Sequence, residues 1–321
     1  MHKKLLNEAT FHLTISAEGP LLVKSGTEGW DPTIPDMQFI RTRHAELGET
    51  VFIPGSSVKG TIRSYSEKIA RTLNVVCCDP FDDKQSCSKL GEPLAKDNDS
   101  QAIYRSSCAA CKLYGSTNLA GRASFADAYP TKKVTEHLTK RTAVAIDRVL
   151  GSVAVGPFDF EALMRGDFTT QIRLRNFELW QLGLLGLAVR DLCLGRVRIG
   201  YGKSRGFGSV AAKLDKLELR SIAHEGLVKQ DGQLSVKGIG ALLNEADGNY
   251  GLDAAEKTPA VVATKVNFND DDLIGLSIVF ERQKDSTDWS APEALALFSA
   301  CVKTAWAAYA KAHQAKGGQN G

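Results

Sequence analysis

Gly200-Tyr201-Gly202-Lys203-Ser204-Arg205-Gly206-Phe207-Gly208 is the stretch from which the rest of this chain is best read. Glycines alternate here with two cations, two aromatics and a serine. A segment without a side chain at every second or third position lets another backbone come very close. Lys203 and Arg205 put positive charge at the same point, and Tyr201 and Phe207 add flat apolar faces. That combination suits the sugar-phosphate chain of a nucleic acid. A glycine-rich turn between a helix and an edge strand has the same composition. The spacing is not that of a nucleotide-cradling loop, because Phe207 and Gly208 follow Gly206, and no βαβ unit with an acidic landmark follows as a dinucleotide site requires.

The 321 residues are 43% hydrophobic, enough for one large domain or one domain with a sizeable appendage. The formal net charge is only +3, so any polyanion surface must be a local concentration of Lys and Arg. Met1 to Glu8 holds no apolar run of signal-peptide length, and no stretch approaches a membrane span. The expectation is a soluble cytoplasmic protein without a membrane partner.

Upstream of the glycine-rich stretch, Phe11, Leu13 and Ile15 alternate with polar residues as a half-buried strand. Glu18 to Thr50 is rich in Gly and Pro and reads as a long irregular loop. Val51 to Pro54 is extended. Gly55-Ser56-Ser57 turns it into a helix expected from Val58 to about Leu73, with Ser56 or Ser57 accepting the first free N–H groups. Ile62, Tyr65 and Ile69 should face the core, while Lys59 and Arg63 share another face. Cations at a helix start oppose the helix dipole, and an anion nearby would offset that cost. Gly121 to Tyr129 ends as a strand, and residues 131–158 read as a projecting basic hairpin with Lys132, Lys133, Lys140, Arg141 and Arg148. Thr169 to Leu174 alternates as a strand. Phe177 to Leu194 is a helix with Gly195 where a C-cap belongs, and Ser209 to Leu219 is a closing strand. This order, strand-helix-strands-helix-strand, is α+β and resembles a ferredoxin-like split βαβ core. From residue 222 the composition changes. No element is assigned to Val236–Ala241, Val261–Phe280 includes strand, and Pro292–His313 is a helix with Leu295, Phe298, Val302, Trp306 and Tyr309 as its apolar stripe.

Five of the seven cysteines, Cys77, Cys78, Cys87, Cys108 and Cys111, fall in one acidic and polar insertion at about 77–111. Clustered cysteines in a chain without secretion signals indicate metal more often than disulfides. Cys108-Ala109-Ala110-Cys111 is one half of a site; Cys78 and Cys87, with Cys77 as an alternative to Cys78, supply the other. Four thiolates make a closed structural Zn²⁺ site, which would tie the insertion to a strand at Lys112–Tyr114; free thiols are the alternative. Cys193 and Cys301 lie on apolar helix faces as small hydrophobes.

Three segments read together carry a resemblance: Phe52-Ile53-Pro54-Gly55-Ser56-Ser57-Val58-Lys59-Gly60, Cys111-Lys112-Leu113-Tyr114-Gly115-Ser116, and the Gly200–Gly208 loop. The set resembles the RAMP family, and within it the backbone subunits of type III CRISPR effector complexes. It covers roughly residues 10–220, so that residues 1–221 form a guide-RNA-binding domain with a thumb at about 131–158 and residues 222–321 a partly helical extension.

The resemblance implies an RRM-like core that binds a guide crRNA, subunits stacked along the guide with other type III CRISPR subunits, and thumbs that kink the guide–target duplex. Carried onto this chain, Ser56, Ser57, Lys59 and Arg63 meet guide phosphates at a helix N-terminus. Lys203, Ser204 and Arg205 hold the backbone from the glycine loop, and Lys140, Arg141 and Arg148 sit on the thumb. In catalytic members an aspartate in the early loop cuts target RNA, with Mg²⁺ or Mn²⁺ present, through attack of the neighbouring ribose hydroxyl. Asp36 matches it best and Asp31 second, with Arg41, Arg43 and His44 following closely. Competing readings are a non-catalytic guide scaffold of the same family, a stand-alone processing enzyme using His12 or His44, and a zinc-stabilised protein with no RNA partner.

Overall fold

The computed structural model describes residues 4–26, 35–82, 84–97, 99–222, 225–244, 250–252, 258–263, 269–271 and 275–314. In chain order the first half contains β1 (Asn7–Ala17), β2 (Arg41–His44), β3 (Gly48–Val51), α1 (Gly55–Thr72), α2 (Cys87–Lys96), α3 (Ser100–Ser106), α4 (Ala109–Tyr114), β4 (Ala123–Phe125), β5 (Tyr129–Pro130), β6 (Leu138–Ile146) and β7 (Val153–Leu163). It continues with β8 (Asp167–Arg175), α5 (Leu179–Cys193), β9 (Val210–Ser221), β10 (Leu227–Gln230), β11 (Gln233–Val236), α6 (Ile239–Leu242), β12 (Ala260–Ala263), β13 (Asn269–Asp271), β14 (Gly275–Glu281), α7 (Pro292–Cys301) and α8 (Ala307–Ala312).

The alternation along β1 decides the layering. Ala9, Phe11, Leu13 and Ile15 are buried on one face, and His12 and Thr14 lie half-buried on the other. β1 pairs antiparallel with both β8 and β9, and the main sheet runs β13-β14-β9-β1-β8-β4, with β5 also on β8. Within it, β9-β1-β8-β4 carry two helical crossovers: α1 falls in the chain between β1 and β4, and α5 between β8 and β9. The protein is thus a mixed α/β structure built on antiparallel sheets.

α1 buries Val58, Ile62, Ser66 and Ala70, a stripe with a spacing of four, while Tyr65 and Ile69 flank it. α5 is buried on nearly all sides and starts at a capping box in which Glu178 and Gln181 satisfy each other's backbone N–H groups. The hydroxyl of Tyr65 joins the two helices by donating to Asp191 at 2.8 Å.

Several expectations are corrected here. α1 begins at Gly55 rather than Val58, with Pro54 at its N-cap and no side-chain cap from Ser56 or Ser57. The stretch from Glu18 to Thr50 is not irregular throughout: β2 and β3 form a hairpin, and Leu21, Lys24 and Met37 make isolated bridges to Leu163, Phe39 and Phe160. Lys112–Tyr114 is helical, because Cys108 caps α4 by accepting from the Cys111 N–H. Sequence alternation could not show that, since Leu113 and Tyr114 are buried in either geometry.

Beyond Ile222, β14 extends the main sheet along β9, and β10, β11 and β12 form a separate three-stranded sheet. α7 and α8 are joined by a π turn at Val302–Trp306. The wider turn moves the buried face. Leu297, Phe298 and Cys301 are buried before it, Ala305 and Trp306 within it and Ala310 after it, while Leu295, Val302 and Tyr309 of the expected stripe are only half-buried. Phe298 stacks on Phe11 at 5.7 Å and Tyr309 on Trp180 at 4.0 Å, so this helix shares one core with the sheet and α5.

Candidate nucleic-acid interface

A groove of about 490 Å³ lies between α1 and the segment leading into the glycine-rich stretch. One wall is a stripe along α1: Ser57, Gly60, Thr61, Ser64 and Lys68. The other is Arg196, Arg198, Gly200, Tyr201 and Lys203, with Val23 and Lys24 at its edge. Lys24, Lys68, Arg196, Arg198 and Lys203 are exposed. The Lys203 amine is pushed below its ordinary value, first by burial and then by the charge of Lys68 on the opposing wall. Two lysines that repel across a groove favour an anion between them. The hydroxyls of α1 and the exposed phenol ring of Tyr201 complete a surface suited to phosphates, sugars and a base face.

Gly200 and Gly208 hold this wall against the protein's own backbone. Gly200, Gly202, Gly206 and Gly208 all have positive φ. A Cβ on Gly200 would run into the carbonyl of Leu22, and one on Gly208 into that of Ile199. The close approach anticipated from the sequence is therefore made by the protein's own residues 20–22, where Tyr201 N–H donates to the Leu22 carbonyl at 2.8 Å and Gly208 N–H to that of Pro20 at 2.9 Å. Arg198 reinforces the bend by donating to the Lys203 carbonyl at 2.7 Å.

The N-terminus of α1 is also filled from within. Asp127, between β4 and β5, accepts the Gly55 N–H at 2.7 Å and supplies the anion that the helix dipole favours. The groove accordingly runs along the flank of α1, not at its tip. Of the residues expected to bind RNA, Ser57 and Lys203 line it, whereas Ser56, Lys59, Arg63, Ser204 and Arg205 are not among its lining residues. Arg205 stacks on Tyr201 and donates to its hydroxyl at 2.9 Å. Phe207 is buried, packed edge-on against Phe160 at 5.0 Å, and is not among the residues lining the groove. Thr61, Ser64, Lys68, Arg196, Arg198 and Lys24 line the groove but are not among the site residues the sequence points to. A signal was present for the first three: Ser57, Thr61, Ser64 and Lys68 recur at steps of four, three and four on one helix face.

The cysteines converge. The sulfurs of Cys78, Cys87, Cys108 and Cys111 all lie within 4.8 Å of one another, with Cys78 Sγ 3.7 Å from Cys111 Sγ and 3.8 Å from Cys108 Sγ. Metal–sulfur bonds of about 2.3 Å in a tetrahedron place sulfurs nearly 4 Å apart, so the residues fit a structural zinc ion. The Cys108 N–H donates to Cys87 Sγ at 3.2 Å, support that favours thiolates. Cys78, not Cys77, belongs to the four.

A family model described as RAMP superfamily matches residues 14–211. The chain belongs to the RAMP superfamily. No curated protein matches it. Proteins of this superfamily work with RNA and other CRISPR subunits, which makes a CRISPR-associated RNA-binding subunit the coarse functional reading of this RAMP chain. Among the described residues no helix is long and apolar enough to cross a membrane.

The matched region of the RAMP chain includes β6 and β7, which form the basic hairpin expected at 131–158 but continue to Leu163. Most of β6 and the tip are exposed, and Arg148 sits at the tip. Lys140 pairs with Asp159 at 2.7 Å, and Arg141 reaches the sulfur of Met164. Asp36 lies beside the middle of this hairpin's second strand, exposed, and accepts the Asp159 N–H at 2.9 Å. Asp31 lies outside the described residues. Arg41 is committed to a two-pronged pair with Glu161 at 2.7 and 2.9 Å. Among the described residues no group of three or more metal-ligating side chains includes Asp36.

Proposed function

We propose that this RAMP protein is a guide-RNA-binding backbone subunit of a type III CRISPR effector complex. One observation carries the reading: the Ser57 side of α1 and the Lys203 side of the glycine-rich bend, far apart in the chain, form the two walls of a single cationic groove. A single RNA strand follows that groove with its phosphates between Lys68 and Lys203. The succession β1, α1, β4, β8, α5, β9 supports a ferredoxin-like, RRM-like core, with the four-cysteine group as a structural zinc site in the insertion and β6–β7 as the thumb.

Fluorescence anisotropy of a labelled single-stranded guide RNA tests the groove. Replacing Lys68 and Lys203 together by Ala should weaken binding at least tenfold at 150 mM salt, with a flatter dependence on salt, as expected when two phosphate contacts are removed. Unchanged binding would remove the basis of the assignment.

Target cleavage is the finer part of the proposal and rests on Asp36 beside the thumb strand β7. There its carboxylate would take the proton of a ribose 2′-hydroxyl as that oxygen attacks the adjacent phosphorus. The bond from phosphorus to the 5′ oxygen breaks, that oxygen takes a proton, and a 2′,3′-cyclic phosphate and a 5′-hydroxyl result. A second reading, a scaffold without cleavage, is favoured by the hydrogen bond that Asp36 accepts from the thumb backbone. Assembled complexes carrying Asp36→Ala and Asp31→Ala, incubated with labelled complementary RNA, separate the two. Cutting at the wild-type rate by both variants would exclude carboxylate catalysis from this loop.

A further inference from the structure

Arg63 was expected to reach guide phosphates, yet it points at the cysteine group. Its Nη2 donates to Cys111 Sγ at 3.4 Å, its Nη1 to the Gly115 carbonyl at 2.9 Å and its Nε to Glu67 at 2.9 Å. Glu67 also lies 3.6 Å from Arg71, whose Nη2 donates to the Cys78 carbonyl at 3.2 Å. The row Arg63–Glu67–Arg71, at steps of four, therefore grips the four-cysteine group from α1 at two of its ligand-bearing segments. Thr61 and Ser64, either side of Arg63 in sequence, line the RNA groove on an adjacent face of the same helix.

We infer that Arg63 is a positioning residue that couples the metal centre to the groove, so that metal occupancy sets RNA affinity. The inference rests on the groove and zinc readings above. A divalent ion held by four thiolates leaves two net negative charges, and the guanidinium of Arg63 is in contact with one of those sulfurs. Such contacts orient metal ligands, and their loss commonly costs 10–100-fold, roughly, in metal affinity. The same contact fixes the lateral position of α1. Without the ion, the 78–111 segment is no longer tied together, and the helix loses that anchor along the turns that present Thr61, Ser64 and Lys68.

The test uses the full chain and two readouts: release of Zn²⁺ to a colorimetric chelator, and anisotropy of a labelled single-stranded RNA. Wild-type protein should carry one zinc per chain, and stripping it should weaken RNA binding about fivefold or more, with re-addition of Zn²⁺ restoring it. Arg63→Gln should lose zinc at least tenfold faster and bind RNA more weakly, while the slope of affinity against salt stays that of wild type. Arg63→Lys keeps a cation without the fork and gives the same readouts should the glutamine variant fail to fold; it should fall between the two. Three results would overturn the inference: no zinc in the wild-type chain, wild-type zinc release from Arg63→Gln, or a salt slope reduced by about one, which would mean a direct phosphate contact. Failure of the groove itself shows differently. Lys68→Ala with Lys203→Ala would then bind RNA like wild type, while the effect of Arg63→Gln on zinc release would persist.

Discussion

Tyr65 and Asp191 join α1, one wall of the groove, to α5, the helix that leads into the other wall: the phenol donates to the carboxylate at 2.8 Å. The same carboxylate accepts Arg190 at 2.8 Å and Arg196 at 3.1 Å, and Arg196 belongs to the far wall of the groove. Burial alone would raise the Asp191 pKa, but hydrogen bonds from Arg190 and Tyr65 outweigh it and hold the group ionised. One buried anion thus sets the distance between α1 and the wall that carries Arg196. Tyr65→Phe should cost about 1–2 kcal/mol of stability, the loss of a hydrogen bond to a charged acceptor. It should also weaken RNA binding about threefold without altering its salt dependence. Urea melts and anisotropy check both.

Lys68 and Lys203 face each other across the groove, so their effects should be coupled. Each single alanine variant should reduce the salt slope of RNA binding by about one and weaken affinity by roughly three- to tenfold. The double variant should lose less than the product of the single effects, because each lysine relieves the other's repulsion when removed. A double-mutant cycle at two salt concentrations measures this.

Alkaline pH should weaken binding earlier than ordinary lysines would. The Lys203 amine is held below its usual value by burial and by Lys68, and a phosphate between them restores its proton. Binding is therefore full below the lowered pKa and falls as pH rises through it, by at most about tenfold per pH unit for a single proton. Lys203→Arg should flatten that fall, since guanidinium does not titrate there. A 2′-O-methylated strand, which alkali does not cleave, allows the measurement between pH 8 and 10.

The glycines of the bend should not be equivalent. At Gly208, φ is +81° and a Cβ would meet the Ile199 carbonyl, so Gly208→Ala should destabilise the fold by about 2 kcal/mol or more. Gly206 has φ +83° with open space around it, so Gly206→Ala should cost only about 1 kcal/mol from backbone strain. Thermal unfolding of the two variants gives the comparison.

Local patterns showed much of this in the sequence. The period of two in β1 and β8, the apolar run of α5, the exposed basic hairpin and the Cys-x-x-Cys half of the metal site each follow from neighbouring residues. What escaped depends on distant partners. Asp127 caps α1 from across the fold, so Ser56 and Ser57 are not needed for that role. Arg63 turns towards Cys111 because the insertion folds back against α1, a contact invisible to helical spacing. β2 and β3, Arg41–His44 and Gly48–Val51, are short and polar and carry too little apolar alternation to stand out from a loop. The stripe Ser57, Thr61, Ser64 and Lys68 is periodic but polar, and apolar periodicity points to the adjacent face of the same helix.

On the proposed reading, one RNA strand lies between α1 and the glycine-rich bend. Photo-cross-linking of a 4-thiouridine guide RNA to the full chain, followed by peptide mapping, tests it most directly. Adducts are expected on both walls, within residues 57–68 and within residues 196–203. Adducts confined to the open sheet face around His12 and Gln171, with both walls unmodified, would contradict it.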